Sequence, residues 1–117
     1  MSEQDNVIRG LQVMTFNQRS VEEILQSIIL IGSLVGEQKR AESLVADYQR
    51  RMESVASRMN GRDRPKVYFE EWPDPMISGI RWVSELVEVA GGKDIFKENR
   101  LHHDAKNRIV ESREVLN

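Results

Sequence analysis

The sequence contains no cysteine among its 117 residues, which excludes disulfides, thiol catalysis and cysteine–zinc sites. It also has almost no excess charge, since 17 Lys and Arg residues oppose 19 Asp and Glu residues for a net charge of -2. Nucleic-acid binding needs a net basic face, so this balance argues against a nucleic-acid partner. No apolar run approaches the ~20 residues of a membrane span, and the N-terminal segment lacks a secretory-signal pattern. As written, the sequence predicts a cytoplasmic protein without membrane insertion.

Motifs for covalent catalysis and for cofactor binding are also missing, since the chain has no GxSxG, no P-loop and no GxGxxG. We therefore expect neither an enzyme nor a bound cofactor. His102, His103 and Asp104 are residue types that bind metals. Adjacent residues seldom share one metal, however, and no suitably spaced partners accompany them, so we expect no metal site.

Two helices are predicted in the first half of the chain. Ser20 and Glu23 have capping-box spacing at the start of the first helix, and Gly36 is a natural left-handed C-cap at its end. Gly32 lies inside this helix and indicates close packing against a neighbour. The second helix is predicted over 37–59 and would be roughly 35 Å long. Its apolar stripe is too short for a coiled coil, which favours packing within the domain.

Short strands are predicted at 11–16 and 66–71, where the sequence is β-prone. A helix is predicted over 78–90, ending at a double glycine, and its buried face comprises Ile80, Val83, Leu86, Val87 and Ala90. The segment 97–109 is polar and irregular. Ser112 is expected to be the N-cap of a final short helix.

The loop after the second predicted strand carries the candidate ligand-binding residues, which are Glu71, Trp72, Asp74 and Met76. In open α/β sheets, ligands bind beyond the carboxyl ends of strands, so this loop is the expected place for a small molecule. Trp72 is either a flat wall for a planar ligand or an anchor that packs the loop onto the following helix. Glu70 and Glu71 are adjacent in a strand and point to opposite faces, so they form no catalytic pair. One of them, together with Asp74, is a candidate for the mouth of the crevice; the alternative is that these are solvated carboxylates.

The segment VYFEEWPDPMISGIRWVSELVEVAGGKDIF, residues 67–96, resembles the start of the second lobe of periplasmic binding proteins of the cobalamin and iron-siderophore type. These helical-backbone proteins are the substrate-binding partners of ABC importers. Upstream, FNQRSVEEILQSIILIGSLVGEQKRAESLVADYQRRM, residues 16–52, resembles the end of the first lobe followed by the long helix that joins the lobes. The resemblance covers about residues 11–117. It implies an α/β fold, a helix-rich middle fragment of a two-lobed structure with a long bridging helix and one βα unit of the second lobe.

The resemblance divides the chain into a first-lobe-like segment with a strand and a helix at 1–36, a bridging helix at 37–61, and a second-lobe-like α/β segment at 62–117. It implies a non-catalytic substrate-binding component, or a truncated relic, of an ABC importer for cobalamin or iron-siderophore/haem-type ligands, located outside the cytoplasm. Glu71, Trp72 and Met76 would then form half of the cleft wall.

Docking on the importer's permease would fall to Glu111 or Glu114. Because only one wall of the cleft is present, we expect the isolated chain to bind corrinoids or ferric siderophores weakly or not at all. Its short strands expose edges, so we also expect a homodimer or domain-swapped oligomer. The alternative function is a helical, self-associating interaction or structural protein with no ligand of its own.

Overall fold

A computed structural model describes residues 10–117, and these residues form the helix-rich α/β arrangement that the sequence predicts. The elements in chain order are α1 (Val21–Leu34), α2 (Gln38–Met59), β1 (Lys66–Val67), β2 (Glu70–Pro73), β3 (Met76–Ser78), α3 (Arg81–Val89), β4 (Lys93–Asp94), two 3-10 helices (Lys97–Leu101 and Ala105–Arg108) and α4 (Ser112–Val115).

Helix α1 begins and ends at the residues that the sequence signals indicate. The Glu23 backbone N–H donates to Ser20 Oγ at 3.1 Å, and the Ser20 N–H donates back to the Glu23 carboxylate at 3.3 Å, which completes the capping box. At the other end Gly36 has φ 77°, and the Glu37 N–H donates to the Gly32 carbonyl at 2.7 Å. This is a Schellman ending, so both predicted caps are confirmed.

The contact between α1 and α2 depends on Gly32. This glycine is buried, and a Cβ atom added to it would collide with the Cβ of Ala41 on α2. Ala41 and Val45 are the buried residues of α2, a helix of 22 residues and therefore about 33 Å long. The predicted close packing at Gly32 is confirmed, and α2 also contacts α3, as expected for packing within the domain.

The single strand predicted at 66–71 is wrong, because the segment divides into β1 and β2, which pair with different partners. Strand β1 runs parallel to β4, with Lys66 opposite Lys93. Strand β2 pairs antiparallel with β3 and forms a hairpin. Strand β4, which pairs with β1, is only two residues long, so the chain leaves this sheet after Val67. It then forms β2, which pairs with the next strand along the chain, β3.

The strand predicted at 11–16 is also wrong, since residues 11–19 adopt neither helix nor strand. A strand needs a neighbour to satisfy its backbone N–H and C=O groups. Both described sheets have two strands and are complete without this segment. The β-prone composition of 11–16 therefore has no pairing partner among residues 10–117.

The C-terminal region is more regular than the sequence predicts. The segment 97–109 contains the two 3-10 helices, each about one turn long. The N-cap of α4 is Glu111, and Ser112 is its first helical residue. Here the Glu111 N–H donates to the Glu114 carboxylate at 2.7 Å, a capping contact made by a glutamate three residues later.

Helix α3 is shorter than predicted, because β3 takes Ser78 and Ile80 becomes the N-cap. Val83 and Val87 share one ridge of the helix, which faces Gly79 and Gly92 and the residues beside them. Leu86 projects from the flank of that ridge and remains 38% exposed, so its predicted place in the core is wrong. Ala90 is likewise exposed, and Trp82 is half-buried.

Candidate functional site

The predicted ligand loop is a β-hairpin, residues 70–78, which we call the Trp72 hairpin. Strands β2 and β3 are joined by a two-residue turn at Asp74 and Pro75, across a cis peptide bond. Trp72 lies opposite Ile77, whereas Glu70 lies opposite Ser78, so β2 has one more residue than β3 between these pairs. The extra residue is Glu71, and the arrangement is a β-bulge.

Trp72 lies on the outside of this hairpin. Its side chain is 59% exposed, and its indole N–H donates to the Asp74 carbonyl at 3.0 Å. The N–H is the only hydrogen-bond donor of the indole, so the bond within the turn fixes the ring and leaves its apolar surface facing outward.

Glu71 has a partner that the sequence did not suggest. Arg108 Nη1 lies 2.6 Å from Glu71 Oε2, and Nη2 lies 3.4 Å from Oε1, so the guanidinium contacts both carboxylate oxygens. The Arg108 side chain is only 2% exposed, while that of Glu71 is 38% exposed. The two residues are 37 positions apart, and no local pattern marks Arg108 as a functional residue. The Glu71 carboxylate therefore faces Arg108 and the protein interior.

Residues 108–110 run alongside β3 and connect the hairpin to the C-terminal region. The Val110 N–H donates to the Met76 carbonyl at 3.0 Å, and Ile109 forms an antiparallel bridge with Ile77. Ser78 Oγ donates to the Arg108 carbonyl at 3.1 Å. These contacts place residues 108–110 beside the Trp72 hairpin.

The remaining candidate residues lie around the same hairpin. Asp74 is exposed at its tip, and Met76 is half-buried with its Sδ atom 3.6 Å from Ser112 Oγ. Glu70 accepts a hydrogen bond from the Tyr68 hydroxyl at 3.2 Å. Burial and, second, this hydrogen bond raise the pKa of Tyr68 above its ordinary value. The two adjacent glutamates therefore have separate partners.

The candidate docking residues Glu111 and Glu114 are both exposed on α4. Glu111 pairs with Arg113, Oε2 to Nε, at 2.7 Å, while Glu114 accepts the Glu111 backbone N–H. Exposed pairs of this kind contribute little to stability, so both carboxylates remain accessible to a partner. Docking through them stays a prediction.

Other charged groups are paired around α3. Glu88 contacts Lys97 at 2.9 Å and Arg100 at 3.1 Å. The hydrogen bond from Lys97 and, after a smaller opposing effect of burial, the one from Arg100 hold the pKa of Glu88 below its ordinary value. Glu85 pairs with Arg81 at 2.8 Å and also accepts the Val21 N–H at 2.8 Å, which joins α3 to the start of α1.

His102 and His103 lie in an exposed loop, and the His103 carbonyl accepts a hydrogen bond from the Arg19 guanidinium at 3.2 Å. Across residues 10–117, no three His, Asp or Glu side chains come close enough together to hold a metal ion. In the same part of the chain, no helix combines the length and the apolar composition needed to cross a membrane.

Comparison with known protein families gives one match. The model of the family described as periplasmic binding protein matches residues 3–114, which is nearly the whole chain. Searches of curated proteins and of solved structures find no match. Proteins of the matched family are substrate-binding components of ABC transporters; they are generally non-catalytic and act outside the cytoplasm. The family match, which includes the Trp72 hairpin, α2 and residues 108–110, shows that the chain belongs to the periplasmic binding protein family.

Proposed function

We propose that this chain supplies one wall of the substrate cleft in a receptor of an ABC importer for cobalamin or iron-siderophore/haem-type ligands. In this proposal 1–36 belongs to the first lobe, 37–61 is the bridging helix, and 62–117 begins the second lobe. The observation that carries the proposal is the outward-facing Trp72 ring, held on a hairpin by its own turn.

The chemistry of the hairpin favours a flat ligand with little negative charge. An exposed indole whose N–H is already bonded offers a broad apolar face, which suits stacking against a conjugated ring. The hairpin carries Glu70 and Asp74 at exposed positions and no lysine or arginine. Like charges repel across such a rim, so a corrinoid suits this wall better than a strongly anionic ferric siderophore.

Calorimetric titration with hydroxocobalamin, haemin and the trianionic ferric enterobactin tests the proposal. Good sites bury ~70–90% of their ligand, so one wall alone should give saturable binding that is weaker than micromolar. Trp72→Ala should abolish the binding. Leu44→Ala is the matched control, because Leu44 is a similarly exposed apolar residue on α2, and it should leave the affinity unchanged.

Equal affinity in the wild type and in Trp72→Ala would contradict the cleft-wall proposal. The absence of heat with all three ligands at millimolar concentration would contradict binding by one wall alone. A sub-micromolar dissociation constant would instead overturn the expectation of weak binding and show that one wall suffices.

A second candidate, self-association, is favoured by the surface of the α1–α2 hairpin. Leu30, Ile31, Leu34 and Val35 are each more than 40% exposed, and residues 27–36 carry no charge. Contiguous exposed apolar residues of this kind mark interaction sites. We propose a homodimer through this face, by docking or by exchange of elements.

Light scattering at micromolar concentration tests the dimer. We expect a mass near twice 13.6 kDa, reduced to the monomer by Leu34→Glu. Leu101→Glu, a charge at an equally exposed apolar position elsewhere, should leave the dimer intact. A 13.6 kDa particle for the wild type would eliminate this candidate without affecting the cleft-wall proposal.

A further inference from the structure

We propose that Arg108 is a positioning residue of the candidate cleft: through Glu71 it holds the β-bulge that directs Trp72 outward. The part of this inference that concerns ligand affinity rests on the function proposed above. The part that concerns the orientation of Trp72 rests on the geometry of the hairpin alone.

One guanidinium holds both strands of the hairpin. Arg108 Nη1 contacts Glu71 on β2 at 2.6 Å and the Ser78 carbonyl at the end of β3 at 2.5 Å. The second nitrogen, Nη2, completes a two-point contact with the Glu71 carboxylate. Arginine–carboxylate contacts of this form fix direction as well as distance. The two strands are therefore held to a common point at the end of the hairpin that lies away from the turn.

The bulge makes this contact necessary for the position of Trp72. Glu71 is the additional residue of β2, so it has no partner opposite it in β3. Bulges redirect neighbouring side chains, and they are weaker than a regular ladder because one residue is unpaired. The Arg108 contact supplies what the ladder lacks at Glu71. Glu71 is directed toward Arg108, and its neighbour Trp72 lies on the outside of the hairpin, 59% exposed.

Burial of Arg108 gives the contact its rigidity. An arginine stays charged at any pH that a protein tolerates, and a buried charge without a partner is strongly unfavourable. At 2% exposure, Arg108 has no access to water that would replace Glu71. The arginine backbone is held in turn, because Ser78 Oγ donates to its carbonyl and accepts a hydrogen bond from Asn99 Nδ2 at 3.3 Å.

The test measures the motion of Trp72 directly. In a Trp82→Phe background, Trp72 is the only indole, and its time-resolved fluorescence anisotropy reports local mobility without any ligand. Arg108→Lys keeps the charge but loses the two-point contact. Glu71→Gln keeps the shape of the partly exposed partner and one oxygen that accepts a hydrogen bond from Arg108, but it removes the carboxylate charge. It therefore serves as a second variant if Arg108→Lys does not fold. Both changes should increase the fast component of the anisotropy decay.

The matched control is Arg100→Lys, which makes the same substitution in the Arg100–Glu88 pair beside α3. Like Arg108→Lys, it replaces a guanidinium that contacts a carboxylate, here at a side chain that is 20% exposed. It leaves the hairpin untouched, so the anisotropy of Trp72 should match that of the parent. With hydroxocobalamin as the probe, Arg108→Lys should weaken binding about tenfold, and Arg100→Lys should not.

The outcomes separate this inference from the proposed function. An unchanged Trp72 anisotropy in both Arg108→Lys and Glu71→Gln, or an equal increase in Arg100→Lys, overturns the positioning role. If the parent binds no hydroxocobalamin, the corrinoid proposal fails, whereas the anisotropy comparison still decides whether Arg108 positions Trp72.

Discussion

Replacing Gly32 with alanine should destabilise the protein, although the same change stabilises most helices. Gly32 lies in the last turn of α1, buried against α2. A Cβ atom at this position would collide with the Cβ of Ala41 and lie 3.2 Å from the Glu37 carbonyl oxygen. Both atoms are fixed by the backbone, so no side-chain rotation relieves the contact. The helices must therefore separate.

The expected magnitude follows from two opposing contributions. Alanine in place of glycine inside a helix is worth ~0.5–1 kcal/mol of stability. Overpacking of a close interface costs ~1–3 kcal/mol. The difference between these ranges is a net loss of about 0–2.5 kcal/mol in the free energy of unfolding, centred on about 1 kcal/mol. For a chain of this length each kcal/mol lowers the melting temperature by roughly 4 °C.

Urea unfolding followed by circular dichroism measures this loss. In a double-mutant cycle, Ala41→Gly should recover part of the stability lost in Gly32→Ala, since it removes the atom that the new methyl group meets. Ser43→Ala, at an exposed position of α2, is the control and should be neutral or slightly stabilising. The reasoning is refuted if Gly32→Ala stabilises the protein as Ser43→Ala does.

Three further predictions concern single side chains. Val83→Ala should lower the free energy of unfolding by about 2 kcal/mol. Trp72→Ala should change it by less than ~0.5 kcal/mol, because the ring is exposed. Comparable losses for the two variants in urea unfolding would show that Trp72 is part of the core. Because its pKa is lowered in the folded protein, Glu88 contributes stability that is present above pH 4.5 and is lost as the pH falls through the pKa of the folded state. The urea midpoint should therefore differ less between about pH 7 and about pH 3 in Glu88→Gln than in the wild type. An undiminished difference would contradict this prediction. Because burial raises its pKa, Tyr68 should ionise above pH 10.0 in a Tyr48→Phe variant, and ultraviolet absorbance showing ionisation at or below 10.0 would refute this.

The helices were predictable because their signals are local. The capping box at Ser20 and the glycine at position 36 lie within a few residues of the backbone groups they satisfy, and both do what their sequence indicates. Strands depend on partners elsewhere in the chain. The segments 11–16 and 66–71 have β-prone composition, but only the second has partners among residues 10–117, and these divide it in two.

The candidate site was predictable in position but not in its internal contacts. The sequence placed Trp72 in a loop between a strand and a helix, whereas the structure places it in strand β2, on the hairpin that precedes α3. The partner of Glu71 was not predictable, because Arg108 is 37 positions away and resembles any other arginine of a polar segment. The prediction that Leu86 is buried was wrong for a related reason. Helical spacing predicts which side chains share a face of the helix, but it does not predict how much of that face other elements cover.

Stability and recognition are separated at adjacent positions of the hairpin. Glu71 contacts a buried arginine, so its removal would leave a buried charge without a partner, which is among the most destabilising changes in a protein. Trp72, the next residue, lies mostly in solvent and bonds only to its own turn. Substitutions at Trp72 can therefore alter the surface offered to a ligand at little expense in folding energy, as long as Glu71 and Arg108 keep the bulge in place. Under the cleft-wall proposal, this arrangement allows the proposed wall to change while the fold does not.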